Sequence, residues 1–204
     1  NALLADACTI TADADALLAR VRSLHQGLEA ELPLAVDVMV PGKALALLLR
    51  DFRRTFPSVP LRLHAEALGA VAALALDRRA VLGIAGPQVI DHPELDREEI
   101  GQTELVPVAA PSHPLAQRPA IAPGEARNHL QLVLTDRSPL TQGSDFSVLA
   151  ALDWRLADLG AKHALLKEGI GWGNMPRPMV AEDIARGELV ELPLPEGRTH
   201  DYRF

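Results

Sequence analysis

Seven histidines are spread along the 204 residues, at His25, His64, His92, His113, His129, His163 and His200, and no two stand at a metal-ligand spacing. Cys8 is the single cysteine, so no disulfide forms within the chain and no thiolate cluster is available. The sequence holds no Gly-x-Ser-x-Gly elbow, no phosphate loop and no His-Glu-x-x-His pair. It is therefore read as a non-enzyme without a cofactor. A small-molecule enzyme whose His, Asp and Ser meet only on folding stays as an alternative.

A different chemistry is available at the turns that follow the predicted strands. Open parallel sheets place loops and helix N-termini at the carboxyl ends of their strands, where free N–H groups and helix dipoles favour an anion or a carbonyl oxygen. The candidates for a ligand site are Gly42, Lys43 and Ala44, then Glu66, Ala67 and Leu68, then Ala85 and Gly86. Facing them from a second unit are Thr135, Asp136 and Ser138, with Trp172, Gly173 and Met175. Gly42 permits close backbone approach, and Lys43 is either a compact positive charge for the ligand or an exposed first-turn lysine. Thr135 and Ser138 offer hydroxyls, although Ser138 equally suits the cap of a turn before Pro139. Trp172 is either a flat pocket wall or a core residue. The ligand such turns take is small and polar, and Lys43, Arg137 and the helix ends raise a carboxylate as one class.

The elements that must position these turns are legible in the apolar spacing. Leu3, Ala7, Ile10, Ala14, Leu17, Val21, Leu24 and Leu28 fall at alternating gaps of 4 and 3, a heptad seam with acids and arginines between. That predicts a dimerisation helix over residues 1–31, with packing on its own domain as the alternative. From Leu32 the period changes. Strands are expected over 34–40, 61–65 and 80–85, separated by a helix with a core stripe Leu45, Leu48, Leu49, Phe52, Phe56 and a second helix over 68–76. Strand, helix, strand, helix, strand with buried strands predicts a parallel sheet covered by helices. A strand over 105–110 runs into a Pro-rich exit, and the pattern then repeats less regularly. Strands are expected at 130–135, 154–156 and 189–192, with helices over 159–167 and 178–186. The fold class is α/β, with two lobes (32–110 and 111–198) joined near Ala110.

Charge restricts the partners. A net charge of −7 and a pI near 5.5 argue against this stretch wrapping a phosphate backbone. The tightest basic group, Arg50, Arg53 and Arg54, reads as the wet face of a helix. No apolar run approaches the ~20 residues that span a bilayer. Asn1 to Asp6 lacks a basic start, so no secretory signal is visible, and a soluble cytoplasmic protein is expected.

Phe52-Arg53-Arg54-Thr55-Phe56-Pro57 is followed by Val59 and Leu61, and about fifty residues later comes Pro111-Ser112-His113-Pro114-Leu115-Ala116. With these motifs the chain resembles the LysR family of bacterial transcription regulators. Gly169-Ile170-Gly171-Trp172-Gly173-Asn174-Met175-Pro176 and Ala185-Arg186-Gly187-Glu188-Leu189-Val190 extend the resemblance, which covers the chain from about Leu3 to the end. It implies a two-lobed fold like that of periplasmic solute-binding proteins, with a linker helix in front and an effector cleft between the lobes. Implied partners are a small-molecule effector, a second copy (a dimer, or a tetramer for the intact protein) and DNA. The DNA contact belongs to an N-terminal winged helix-turn-helix outside this sequence; no membrane contact is implied. Residues 199–204 match the start of a strand returning to the first lobe, with the family's last helix beyond it.

Two departures stand out. The turn after the first strand commonly presents a Ser or Thr hydroxyl, and here it is Pro41-Gly42-Lys43. The long second-lobe helix is expected to be a loop, because Pro139 and Gly143 interrupt it. A solute-binding protein serving transport would share the lobes but has no use for the heptad seam.

Overall fold

The computed structural model describes residues 31–87, 92–135, 138–141, 146–195 and 200–204. The dimerisation seam from Leu3 to Leu28 lies outside the described residues, as does Asp136. Two sheets organise the rest.

The first sheet is parallel, with β1 (Leu32–Asp37) between β2 (Leu61–Glu66) and β3 (Leu82–Ile84). Parallel neighbours need a crossover, and two helices supply it: α1 (Gly42–Thr55) between β1 and β2, and α2 (Ala70–Leu76) between β2 and β3. Leu34, Ala35 and Val36 are buried, as the central strand of a covered sheet requires. α1 ends at Phe56 ahead of Pro57, with Arg53 and Arg54 in its last turn where the helix dipole favours cations. The strand order β2-β1-β3 means the chain leaves β1 to one side and returns on the other. The carboxyl ends of β1 and β3 thus form a topological switch point.

Two details of this lobe differ from expectation. α1 buries none of its residues: Leu45, Leu49 and Phe52 are half-buried, while Leu48 is 48% and Phe56 36% exposed. Its apolar stripe is real, but the described part of this small sheet covers it only in part. β3 is an edge strand rather than a buried one, and Val81 and Leu82 are more than half exposed. An apolar run marks a strand without saying how many of its faces are covered.

The second sheet runs β6-β5-β7-β4-β8, with β9 also paired to β4. Its strands are β4 (Gln102–Ala109), β5 (Gln131–Leu134), β6 (Asp153–Leu156), β7 (Trp172–Pro176), β8 (Val190–Glu191) and β9 (His200–Arg203). β5, β6 and β7 are parallel, and β4 is antiparallel to β7, β8 and β9. Among the described residues between β5 and β6, a single 3-10 turn (Pro139–Thr141) stands where a long helix was in question.

Two helices cover this sheet. α3 (Leu159–Lys167) starts on Asp158, whose carboxylate accepts the Ala161 N–H at 2.5 Å. α4 (Arg177–Arg186) has Pro178 in its first turn and closes on Gly187 at φ 71°, a left-handed cap that glycine adopts without strain. Arg177 pairs with Glu104 and Glu191, tying the start of α4 to β4 and β8.

Three apolar clusters hold these layers. One, built on Ala35, Val71, Leu74 and Ala80, lies inside the first lobe. A second, around Trp172, Leu115, Ile121, Leu192 and Leu194, lies in the other lobe. The largest joins the sheets: Met39, Ala67 and Leu68 from the ends of β1 and β2 pack with Leu105, Val106, Leu132, Met175 and Tyr202. Among the described residues no helix is long and apolar enough to cross a membrane.

Candidate functional site

Asp37 ends β1 and is 1% exposed. Its Oδ1 accepts the Met39 N–H at 2.8 Å, its Oδ2 accepts the Tyr202 hydroxyl at 2.9 Å, and the Leu68 and Gly86 N–H groups also donate to it. One carboxylate therefore binds the turns after β1, β2 and β3 and the hydroxyl of β9. Burial pushes its pKa up to about 6, against the four hydrogen bonds, which lower it. Burial, together with the neighbouring Asp37 carboxylate, pushes the Tyr202 phenol well above its ordinary value, so it donates throughout the accessible pH range. Gly86 is required here by close approach, because any Cβ on it would overlap the Tyr202 ring.

Beside this knot lies a cavity of about 50 Å³ between the two sheets. Met39 and Leu68 wall it from the first lobe, β5 from Gln131 to Leu134 forms its floor, and Phe146, Ser147, His200 and Tyr202 lie around it. Lys162 and Asn174 complete it from α3 and β7. Gln131, 2% exposed, spends its amide on the loop before β6: Nε2 donates to the Ser147 carbonyl at 2.7 Å, and Oε1 accepts from Leu149 and Ala150. Lys162 is 3% exposed and its Nζ donates to the Asn174 carbonyl at 2.7 Å. Burial lowers its pKa to about 7.

Of the residues singled out in the sequence, Leu68 lines the cavity, with φ 50° in the left-handed region. Gly86 and Ala67 lie next to it, one donating to Asp37 and the other in the shared core. Glu66 is half-buried, and its carbonyl accepts the Val38 N–H at 2.9 Å. Ala85 packs on the first-lobe cluster. Gly42, Lys43 and Ala44 are exposed at the start of α1, away from the cavity wall. Thr135 is half-buried at the end of β5, and the Ser138 hydroxyl accepts the Leu140 N–H at 3.1 Å, a turn cap around Pro139. Trp172 is fully buried in the second-lobe cluster, and Met175 in the shared one.

Gly173 backs the site. A Cβ there would lie 2.5 Å from the Leu132 carbonyl oxygen and 3.1 Å from the Lys162 Cε. The first contact is with backbone and cannot be relieved by a rotamer. Gly173→Ala is therefore expected to cost about 1–3 kcal/mol, the range of a forced shift between packed elements, read as a lower denaturant midpoint.

The sequence left two signals for the residues it did not single out. Asp37 is a lone acid in an apolar strand, and a buried charge is more informative than any number of buried leucines. Lys162 falls three residues after Leu159 and four before Leu166, on the stripe that α3 buries.

Comparisons with known proteins agree with this architecture. The LysR substrate binding domain family matches residues 25–204. The chain belongs to that family of transcription regulators, and its fold is the two-lobed one of periplasmic binding proteins. Among solved structures it is similar to the effector binding domain of QuiR in complex with shikimate, at 17% identity and a TM-score of 0.65, covering 85% of each chain. The Synechocystis PCC6803 CcmR regulatory domain in complex with 2-PG is 19% identical with a TM-score of 0.62, covering 86% of each chain. CrgA, a LysR-type transcriptional regulator from Neisseria meningitidis, is 19% identical with a TM-score of 0.60, over 97% of this chain and 68% of that one. No curated protein sequence matches the chain.

Proposed function

We propose that this chain senses a small polar effector in the cavity between its lobes and thereby controls DNA binding by a winged helix-turn-helix outside this sequence. The observation that carries the reading is the cavity at the carboxyl ends of the first-lobe strands, closed by β5, α3 and β9 of the second unit. Relatives of this fold support it, QuiR in complex with shikimate and CcmR in complex with 2-PG. At about 50 Å³ the cavity holds water or a very small ligand. A metabolite-sized effector needs several times that volume, so its binding separates the lobes, and the ligand favours whichever lobe angle it fits. The heptad seam from Leu3 to Leu28 pairs with a second copy, so that a change in lobe angle alters how two heads are held.

A thermal-shift screen against small carboxylates, amino acids, sugars and aromatic acids tests the reading. At 100 times its Kd a ligand that binds only the folded state adds about 2.7 kcal/mol, a rise of roughly 5–10 °C for a domain of this size. The rise should be lost in Asn174→Phe, which fills the cavity from β7. A saturable rise that survives this substitution places the ligand elsewhere, and no rise across the panel contradicts effector sensing by this domain.

A further inference from the structure

Among the described residues that line the cavity, Lys162 is the one amine, and no carboxylate there balances the charge it carries when protonated. Lys162 points inward from the buried face of α3, and its stem crosses β7 at Gly173, where the missing Cβ leaves it room. Of the three N–H donors of an ammonium, one is used among the described residues, on the neutral Asn174 backbone carbonyl. Among the described residues no carboxylate reaches the Nζ. Asp183, on α4, is held by His163 and Lys167. Asp37 is held by Met39, Leu68, Gly86 and Tyr202. The Gln131 amide is spent on Ser147, Leu149 and Ala150. His200 and Tyr202 are the other titratable groups among the described residues that line the cavity, and neither side chain is a carboxylate.

An ammonium buried without a counter-charge lowers stability unless something repays its desolvation. A helix stripe would normally place a leucine at this position. A lysine there makes sense as one half of an ion pair whose other half arrives from solution.

We propose that Lys162 is the counter-ion of the effector, which is a small carboxylate seated with an oxygen on the Lys162 Nζ. The assignment rests on the reading of the cavity as the ligand site and adds the chemical class. Among the described residues the other two N–H donors of the ammonium have no acceptor, so they are the ones that take the carboxylate, while the Asn174 carbonyl holds the third. Burial has lowered the pKa of Lys162 to about 7, so a carboxylate that arrives is expected to draw a proton onto the amine.

Acetate is the probe, because it is small enough for a cavity of about 50 Å³, and acetamide is its neutral counterpart of the same shape. Both are titrated by ligand-observed NMR into the whole chain and into Lys162→Met, which removes the buried charge and keeps the stem. Wild type is expected to bind acetate about tenfold or more tightly than acetamide, and Lys162→Met to lose that preference, as when a charge-assisted hydrogen bond is removed. Equal binding of acetate and acetamide to wild type, or unchanged acetate binding in the variant, overturns the role of Lys162. The same holds if inorganic phosphate binds and acetate does not. The interlobe site survives each of these results if a neutral ligand raises the melting temperature and Asn174→Phe abolishes the rise; otherwise both readings fall.

Discussion

Asp37→Ala should lower the stability of the domain by about 3–5 kcal/mol near neutral pH, the range for breaking a buried hydrogen-bond network. The substitution removes the shared acceptor of three backbone N–H groups and the Tyr202 hydroxyl at a buried position. It also disconnects β9 from the strand ends of the first lobe, since the Tyr202–Asp37 bond spans 165 residues of sequence. Asp37→Asn keeps the Oδ1 acceptor and turns an amide N–H towards the Tyr202 oxygen, so it should cost less than half as much.

The pH dependence separates charge from shape at this residue. The folded pKa is raised from 3.8 to about 6, so between those values the native state holds a proton that the unfolded state has released. The stabilising contribution is fully present below pH 3.8 and is lost as pH rises through about 6. A shift of about two units corresponds to roughly 3 kcal/mol. Wild type should therefore lose about that much relative to Asp37→Asn between pH 4 and pH 7 in urea denaturation. A difference that stays flat over this window contradicts a buried, ionising Asp37.

Lys162→Met should raise the stability of the free protein at pH 7, which is unusual for a fully buried position. The folded pKa is lowered from 10.5 to about 7. Between these values the unfolded state binds the extra proton, so stability rises with pH from about 7 towards 10.5 and is lowest below 7. The shift corresponds to several kcal/mol at most, and the gain in Lys162→Met at pH 7 should be about 2–4 kcal/mol, shrinking to near zero by pH 10. Replacing a buried charge with an apolar side chain of similar length has this sign elsewhere. A variant less stable than wild type at pH 7 would mean that Lys162 is already paired without ligand.

The order and type of the elements were legible in the sequence because apolar period and turn residues act locally. The βαβαβ run, the Asp158-capped helix at 159–167 and the Pro-started helix ending on Gly187 are where that spacing puts them. What spacing could not reveal was coverage. The stripe on α1 and the apolar run of β3 look like core in sequence, yet burial depends on neighbours hundreds of atoms away.

The same limit applies to the site. Strand ends were identifiable as the region where turns converge, and Leu68 and Gly86 are there. The N–H groups of these two residues, expected to be offered to a ligand, are directed at Asp37 instead. That meeting requires the end of β1 and the returning β9 together, a contact no local pattern encodes. Lys162 stands as a charge on an apolar stripe that the sequence reading passed over, and that it ends in a cavity follows from the packing of α3 on Gly173 of β7.

The most direct test of the interlobe site uses the three methionines, each a methyl probe in a different place. Met39 walls the cavity, Met175 lies buried behind it, and Met179 is exposed on α4. The chain labelled with methyl-13C methionine is titrated with a carboxylate that raises its melting temperature. The Met39 methyl resonance should move saturably, with the same Kd as the thermal shift, while that of Met179 stays in place. Movement at Met179 with none at Met39 would put the ligand outside the interlobe cavity and contradict the account.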